Sequence, residues 1–260
     1  MKDIEFLKAG DNHYKAYVGP PDRYDFMGAT QFRLLTSLGL RAHHKLLDFG
    51  CGSLRAGKLF IPYLEAGNYF GQDPNQWLIE DGLKSEIGEE VIDVKRPHFS
   101  NVGNFEVGFD EHFDFIVAQS IFSHTNLELT KKGISSIYNS LSEQGLALLT
   151  IIEGSDYKGE EDWVYPGWTT HHPNTIKKVF NEVGCHWRRL HWFHPAQTWF
   201  VISKDKSRLP SFWEKTFLLG GEEVGSMQYK SQNFISNRLL SFMKKSPLLR
   251  SLTKRMSLLS

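Results

Sequence analysis

Two carboxylates and two glycines carry the most specific chemistry in this 260-residue chain. Asp48 lies in an apolar run, Leu46-Leu47-Asp48-Phe49, which is followed at once by Gly50-Cys51-Gly52. Asp73 closes a second run, Tyr69-Phe70-Gly71-Gln72. A short apolar run, a glycine turn and a helix start place a ligand crevice at the carboxyl end of a parallel strand, where glycine lets a ligand approach the backbone. A carboxylate closing the next strand can accept hydrogen bonds from both hydroxyls of a ribose. The pattern predicts a nucleoside cofactor. A dinucleotide is the poorer fit, because its turn is Gly-x-Gly-x-x-Gly and the third place here is Arg55. Asp48 would also repel a pyrophosphate, whereas it would attract an ammonium through charge-assisted hydrogen bonds.

The amino group of S-adenosylmethionine is such an ammonium, and at these residues the chain resembles the class I S-adenosylmethionine-dependent methyltransferases. Their first motif is an acid followed by Gly-x-Gly-x-Gly, and their second is an acid closing the next strand. Asp48, Gly50, Gly52 and Asp73 match, while the third glycine is Leu54 here. Phe113-Asp114-Phe115-Ile116-Val117-Ala118-Gln119-Ser120-Ile121-Phe122-Ser123-His124 looks like the family's fourth-strand motif, and the resemblance runs from Leu46 to Lys204. It implies an α/β fold with a Rossmann-like, doubly wound, mostly parallel sheet whose final strand is antiparallel. It also implies S-adenosylmethionine as cofactor, bound by Asp48, Gly50, Gly52, Asp73 and Gln119. Asn104 stands where the family often has an acid that accepts from the adenine amino group, and its amide oxygen could accept in the same way. An Asn beside Gly103 is equally a plain turn residue.

Methyl transfer from a sulfonium is an in-line displacement, so the protein must align acceptor and methyl group and, for a hydroxyl acceptor, remove its proton. Three candidate bases lie near expected strand ends. His124 follows the fourth strand, Glu153 follows the fifth, and His172 closes the long loop between them and the next helix. Each has a structural alternative, His124 for instance as a cap or packing group of the following helix. That loop also carries Trp163, Tyr165, Trp168 and His171, which could stack on a ring or a sugar face. The expected activity is O-methylation of a small molecule or glycan, with a His or Glu as general base. An NAD(P)-dependent oxidoreductase and a non-catalytic, cofactor-binding partner subunit remain alternatives.

Several other chemistries are disfavoured. The amino-methylating nucleic-acid enzymes of similar fold carry Asn/Asp-Pro-Pro-aromatic after the fourth strand, where this chain has Gln119-Ser120-Ile121-Phe122. Base C5 methylation needs a nucleophilic cysteine, and neither Cys51 nor Cys185 is well placed for it. No carboxylate cluster points to a metal, and no Ser-His-Asp order or P-loop is present. With 30 basic and 30 acidic side chains the charge is balanced, so no global field draws the chain to nucleic acid. Two cysteines give neither a disulfide framework nor a zinc cluster. The charged opening Met1-Lys2-Asp3-Ile4-Glu5 does not read as a signal peptide, so a cytoplasmic location is expected.

The elements that must hold these residues follow from apolar periodicity. Residues 1–40 read as an N-terminal arm and lid helix: Gly19-Pro20-Pro21-Asp22 makes a rigid turn, and a helix over 25–38 has Asp25 as its N-cap. Residues 41–204 read as the cofactor-binding domain. Strands are expected at 45–49, 69–72, 98–102, 113–118 and 146–152, with helices over 54–64, 75–83, 128–141 and from His172 to Gly184. A closing hairpin, 185–193 and 197–204, folds about a tight His194-Pro195-Ala196 turn. Residues 205–260 read as a basic tail. Leu248, Leu249, Leu252, Met256 and Leu259 would share one helical face, with Arg250 and Lys254 opposite, an arrangement suited either to peripheral membrane contact or to packing on protein.

Overall fold

A computed structural model describes residues 6–210. The amphipathic tail reading therefore falls, from residue 211 on, outside the described residues. The elements in order are α1 (Tyr14–Tyr17), α2 (Tyr24–Ser37), β1 (Leu46–Phe49), α3 (Gly57–Tyr63), β2 (Tyr69–Gln72), α4 (Gln76–Gly82), α5 (Glu89–Lys95), β3 (His98–Ser100), β4 (Phe113–Ala118), α6 (Leu127–Asn139), β5 (Leu141–Ile151), α7 (Pro173–Val183), β6 (His186–Leu190) and β7 (Thr198–Ser203). A π-helical turn, Leu83–Ile87, extends α4.

The strands form one sheet in the order β3-β2-β1-β4-β5-β7-β6. All neighbours are parallel except β7, which runs antiparallel to both β5 and β6. This is the doubly wound sheet expected from the sequence. The order in which strands are added reverses between β1 and β4, the switch point at which such sheets open a crevice.

Strand alternation sends successive side chains to opposite faces, and both faces are covered. Leu46, Phe115, Val117, Leu146 and Leu148 pack toward Leu34 and Leu35 of α2 and Phe60 and Ile61 of α3. Leu47, Ile116, Ala118, Ala147 and Leu149 pack toward Ile134 and Ile137 of α6 and Ile176, Val179 and Phe180 of α7. The lid helix thus belongs to the core. At the other end Leu209 is buried in the first of these clusters, so the packed part of the chain continues past Lys204.

Some boundaries differ from expectation. α2 begins at Tyr24 straight from a 3₁₀ turn, Pro21–Arg23, so Asp25 lies inside the first turn and pairs with Lys58 instead of capping. α3 starts only at Gly57, because the chain is still turning at Leu54, where φ is +62°. β3 is three residues long and partly exposed. Residues 191–197 form a longer loop than the tight turn expected, pinned by the His194 ring, whose Nδ1 accepts from Ala196 N at 3.2 Å and Gln197 N at 3.0 Å.

Candidate cofactor and active site

The turn after β1 is built for close approach. Gly50 N and Cys51 N both donate to Gln72 O, at 2.7 and 3.0 Å, which ties the turn to the end of β2. Gly50 has φ +80° and Gly52 φ +53°, the left-handed region that favours glycine. A Cβ on Gly50 would collide with the side chain of Ile121, and one on Gly52 would stand 2.6 Å from Val18 Cγ1. Leu54, at the third glycine place, is itself left-handed. A non-glycine there costs roughly 1–2 kcal/mol, and complete burial of the leucine side chain in the core offsets it.

Two buried carboxylates face the crevice beside this turn. Asp73 Oδ2 accepts from Gly52 N at 3.0 Å, and its Oδ1 accepts from Asn75 N at 2.8 Å and Asn75 Nδ2 at 3.1 Å. Burial nonetheless raises its pKa. Asp48 is 4% exposed and accepts one hydrogen bond, from Tyr69 Oη at 2.9 Å. Removal from water pushes its pKa up to about 7, opposed by the Tyr69 bond and the charge of Arg55. Asp48 is therefore poised for a cationic partner that would hold it ionised.

Asp48, Gly50, Gly52, Asp73 and Gln119 all line one cavity of about 270 Å³. A second hollow of about 310 Å³ adjoins it, sharing Gly50, Asp73, Pro74, Asn75, Ile121 and Trp163. Each is near the lower end of the roughly 300–1,000 Å³ of small-molecule sites, so together they suit an elongated ligand. Gln119 is buried, and its Oε1 has no hydrogen-bond donor among the described residues. Asn104 lines the second hollow, exposed, with Oδ1 accepting from Glu106 N at 3.0 Å and Nδ2 donating to Glu106 at 2.9 Å. That is the turn role, and one lone pair of its amide oxygen is already engaged.

The three candidate bases separate. His124 lies in the cavity wall, with Nδ1 2.6 Å from the carbonyl of Gly167. A carbonyl only accepts, so Nδ1 carries the proton and the Nε2 lone pair is left available. Burial holds the His124 pKa below its usual value, outweighing the Gly167 bond. His172 does not line this cavity: it is exposed and caps α7, its Nδ1 accepting from Asn174 N at 3.2 Å. Glu153 does not reach it either. Its carboxylate pairs with Arg189 and accepts from Thr198 Oγ1 at 2.7 Å, which ties β5 to the hairpin. Glu153 does follow its strand as expected, but partners distant in sequence draw its carboxylate elsewhere, whereas the His172 ring is taken up by the amide of Asn174, two residues on.

The long loop is stitched down. Bridges join Thr125 to Trp163 and Glu153 to His171, and His171 is buried with Nε2 3.2 Å from Thr125 O. This hangs Trp163 and Tyr165 over the cavity, while Trp168 is 72% exposed outside it. From the opposite side Tyr17 and Val18 complete the roof, and Tyr165 donates to Tyr17 O. Sequence reasoning did not single out Val18, Ile121 or Ser120, and took Arg55 only as an absent glycine. Arg55 stands in the same wall as Asp48, and the signal for it was a cation immediately after the turn.

Sheet order, acid-glycine turn and crevice define a class: the chain has the Rossmann-like fold of the class I S-adenosylmethionine-dependent methyltransferases. Among individual proteins, it is 27% identical over 163 residues to an uncharacterized methyltransferase of Staphylococcus carnosus, a match covering 61% of this chain and 72% of that one. No family model matches. DesVI of Streptomyces venezuelae superimposes with a TM-score of 0.55 at 14% identity, over 76% of this chain and 99% of that one. A S-adenosylmethionine-dependent methyltransferase of Clostridium acetobutylicum does so with 0.51 at 11% identity, over 69% and 91%. The magnesium protoporphyrin IX methyltransferase of Synechocystis, solved with bound S-adenosylhomocysteine, gives 0.52 at 13% identity, over 70% and 86%. At these identities the structural likeness is one of fold.

Proposed function

We propose that the protein is a S-adenosylmethionine-dependent methyltransferase that methylates a hydroxyl of a small molecule or glycan. The observation that carries the cofactor assignment is the convergence of Asp48, Asp73 and the Gly50–Gly52 cradle on one cavity. The site's orphaned groups match what the cofactor offers. Among the described residues Gln119 Oε1 lacks a donor and Asp48 has only one; both suit the amino group of the methionine arm. Asp73 suits the ribose hydroxyls, since among the described residues Oδ2 has only the Gly52 amide as partner. The adjoining hollow, walled by Phe49, Val102, Phe105, Ile121 and Leu129, offers the apolar slot an adenine ring needs.

When bound, the cofactor supplies an electrophilic methyl group on a sulfonium. The chain supplies alignment and proton removal. Trp163 and Tyr165 roof the cavity with rings 6.2 Å apart and 24° from coplanar, surfaces on which a sugar or ring face can stack. His124 stands under them, its ring centroid 5.1 Å from that of Tyr165. With Nδ1–H held by Gly167 O, its Nε2 can accept the acceptor's hydroxyl proton, and its depressed pKa keeps it neutral at pH 7. Among the described residues no helix is long and apolar enough to cross a membrane, and no cluster of metal-ligating side chains occurs.

Calorimetric titration with S-adenosylhomocysteine and with NADH tests the cofactor: heat of binding is expected from the first only. Binding of NADH alone would sustain an oxidoreductase instead. Transfer of a labelled methyl group to a panel of hydroxylated small molecules and glycans then tests the acceptor class, and separates an enzyme from a cofactor-binding subunit.

A further inference from the structure

Arg55 is a permanent cation in the wall of the cofactor cavity with no acid in contact with it among the described residues. Its side chain is half-buried, and among the described residues only Nη1 of its N–H donors has an acceptor, Val18 O at 2.7 Å. No carboxylate among the described residues forms an ion pair with it. A guanidinium stays protonated in any protein site, and taking it out of water without an anion is costly. The surroundings fix it in place at that cost. Helix α2 lies against its backbone so closely that a Cβ on Gly28 would overlap Arg55 O, and a Cβ on Gly19 would stand 3.3 Å from Nη1. Its neighbours offer no anion in contact. His194 is held neutral, its pKa lowered to about 3 by burial and then by the charge of Arg55. Asp48 and Tyr24 are the acids near enough to act on Arg55 electrostatically, and Tyr24 is committed to Ser53 O at 2.6 Å.

We propose that Arg55 is a cofactor-binding residue that pairs with the carboxylate of the methionine arm, while Asp48 takes the ammonium of the same arm. Two opposite charges in one wall then read a zwitterion. A planar fork suits a carboxylate, which it can meet through two parallel N–H bonds. The same side chain holds the Val18 carbonyl and so couples the N-terminal arm, which roofs the cavity, to the presence of that carboxylate. This assignment rests on the cofactor reading above, and goes beyond it in giving the arm's anionic end a partner that the glycine motif does not contain.

The test compares two probes on the full-length protein without acceptor: S-adenosylmethionine, and its decarboxylated form, which keeps the sulfonium and the ammonium but lacks the carboxylate. Affinities are measured by calorimetry for wild type, R55M and R55K, with circular dichroism to verify folding. Wild type should prefer S-adenosylmethionine. R55M should weaken S-adenosylmethionine about 10–100-fold, the effect of losing a hydrogen bond to a charged group, and leave the decarboxylated probe within about threefold. R55K, which keeps charge without the fork, should fall between. Equal weakening of both probes by R55M would overturn the proposal by showing a role confined to seating the arm, and so would an unchanged preference. Should wild type bind neither probe, the cofactor reading itself fails and the proposal falls with it, an outcome distinct from the other two.

Discussion

The buried carboxylate of Asp48 makes the ligand-free protein pay for its cofactor site in stability, and the amount depends on pH. Its pKa is about 7 in the folded chain against an ordinary 3.8. Three units of pKa correspond to about 4 kcal/mol at about 1.4 kcal/mol per unit. The sign follows from proton binding. Between the two values the unfolded carboxyl has released its proton while the folded one retains it, so the folded state binds more protons and loses stability as pH rises. The contribution is complete below the unfolded value and gone above about pH 7. Asp48→Asn keeps the shape and an oxygen to accept from Tyr69, but nothing to ionise. Denaturant unfolding of ligand-free wild type and D48N at several values between pH 5 and pH 8 isolates the effect, since all other groups cancel in the difference. Wild type should lose about 2–3 kcal/mol relative to D48N across that interval. D48N should meanwhile bind S-adenosylhomocysteine more weakly, having lost the anion that meets the ammonium. Parallel stability curves for the two proteins would refute the argument, because they would mean that Asp48 is solvated enough to ionise freely.

The ribose assignment makes Asp73→Ala weaken S-adenosylhomocysteine by about 1.5–3 kcal/mol, and unchanged affinity in calorimetry would remove Asp73 from the site. His124→Ala should lower turnover about 10²–10⁴-fold at nearly constant cofactor affinity, whereas His172→Ala should retain turnover, its ring being spent on a helix cap. In wild type the acidic limb of the rate profile should lie below the ordinary imidazole value of 6.5, because burial depresses the His124 pKa; a limb above it would contradict the assignment. Glu86 receives Tyr14 Oη at 2.9 Å, Lys15 at 3.0 Å and Lys58 at 2.8 Å, and so latches the arm that carries Tyr17 and Val18. Glu86→Ala should speed S-adenosylhomocysteine release about fivefold, as expected for losing about 1 kcal/mol of part-exposed ion pairing, and an unchanged stopped-flow rate would show that the arm is held by its aromatic contacts alone.

The central strands were legible because burial on both faces forces continuous apolar runs. β2 and β4 were placed to the residue for that reason, and the glycines after β1 stood out because only they fit the turn. The edge of the sheet was not legible in the same way. β3 is short and half-exposed, so its sequence carries little pattern, and β5 begins five residues early with a register shift against β4 that no periodicity announces. Site residues followed the same division. Asp48 and Asp73 are fixed at the ends of adjacent central strands that the sequence placed correctly, so their partners Tyr69 and Gly52 come from the same two legible segments. Glu153 is decided by Arg189 and Thr198, which its local sequence does not show, and His172 by the helix start that the sequence did place there, where a capping role competes with a catalytic one. Arg55 was visible but misread, since a missing glycine draws attention to what is absent and not to the charge that replaced it.

The loop between β5 and α7 is anchored independently of the glycine turn. Its first and last residues meet each other at the Glu153–His171 bridge, and its middle is held along residues 123–126 through Thr125, Asn126 and the His124 carbonyl, which accepts from Val164 N at 2.9 Å. Donor handling is thus lodged in β1 and β2, while the surfaces that would greet an acceptor ride on a segment with its own moorings. A segment of that kind is an exchangeable cassette. Descendants of one ancestral chain could diversify what they methylate by rewriting residues 154–170, and an engineer could graft the corresponding segment of a relative here, provided that the Gly167 carbonyl that holds His124 and the Tyr165 hydroxyl that meets the N-terminal arm are kept.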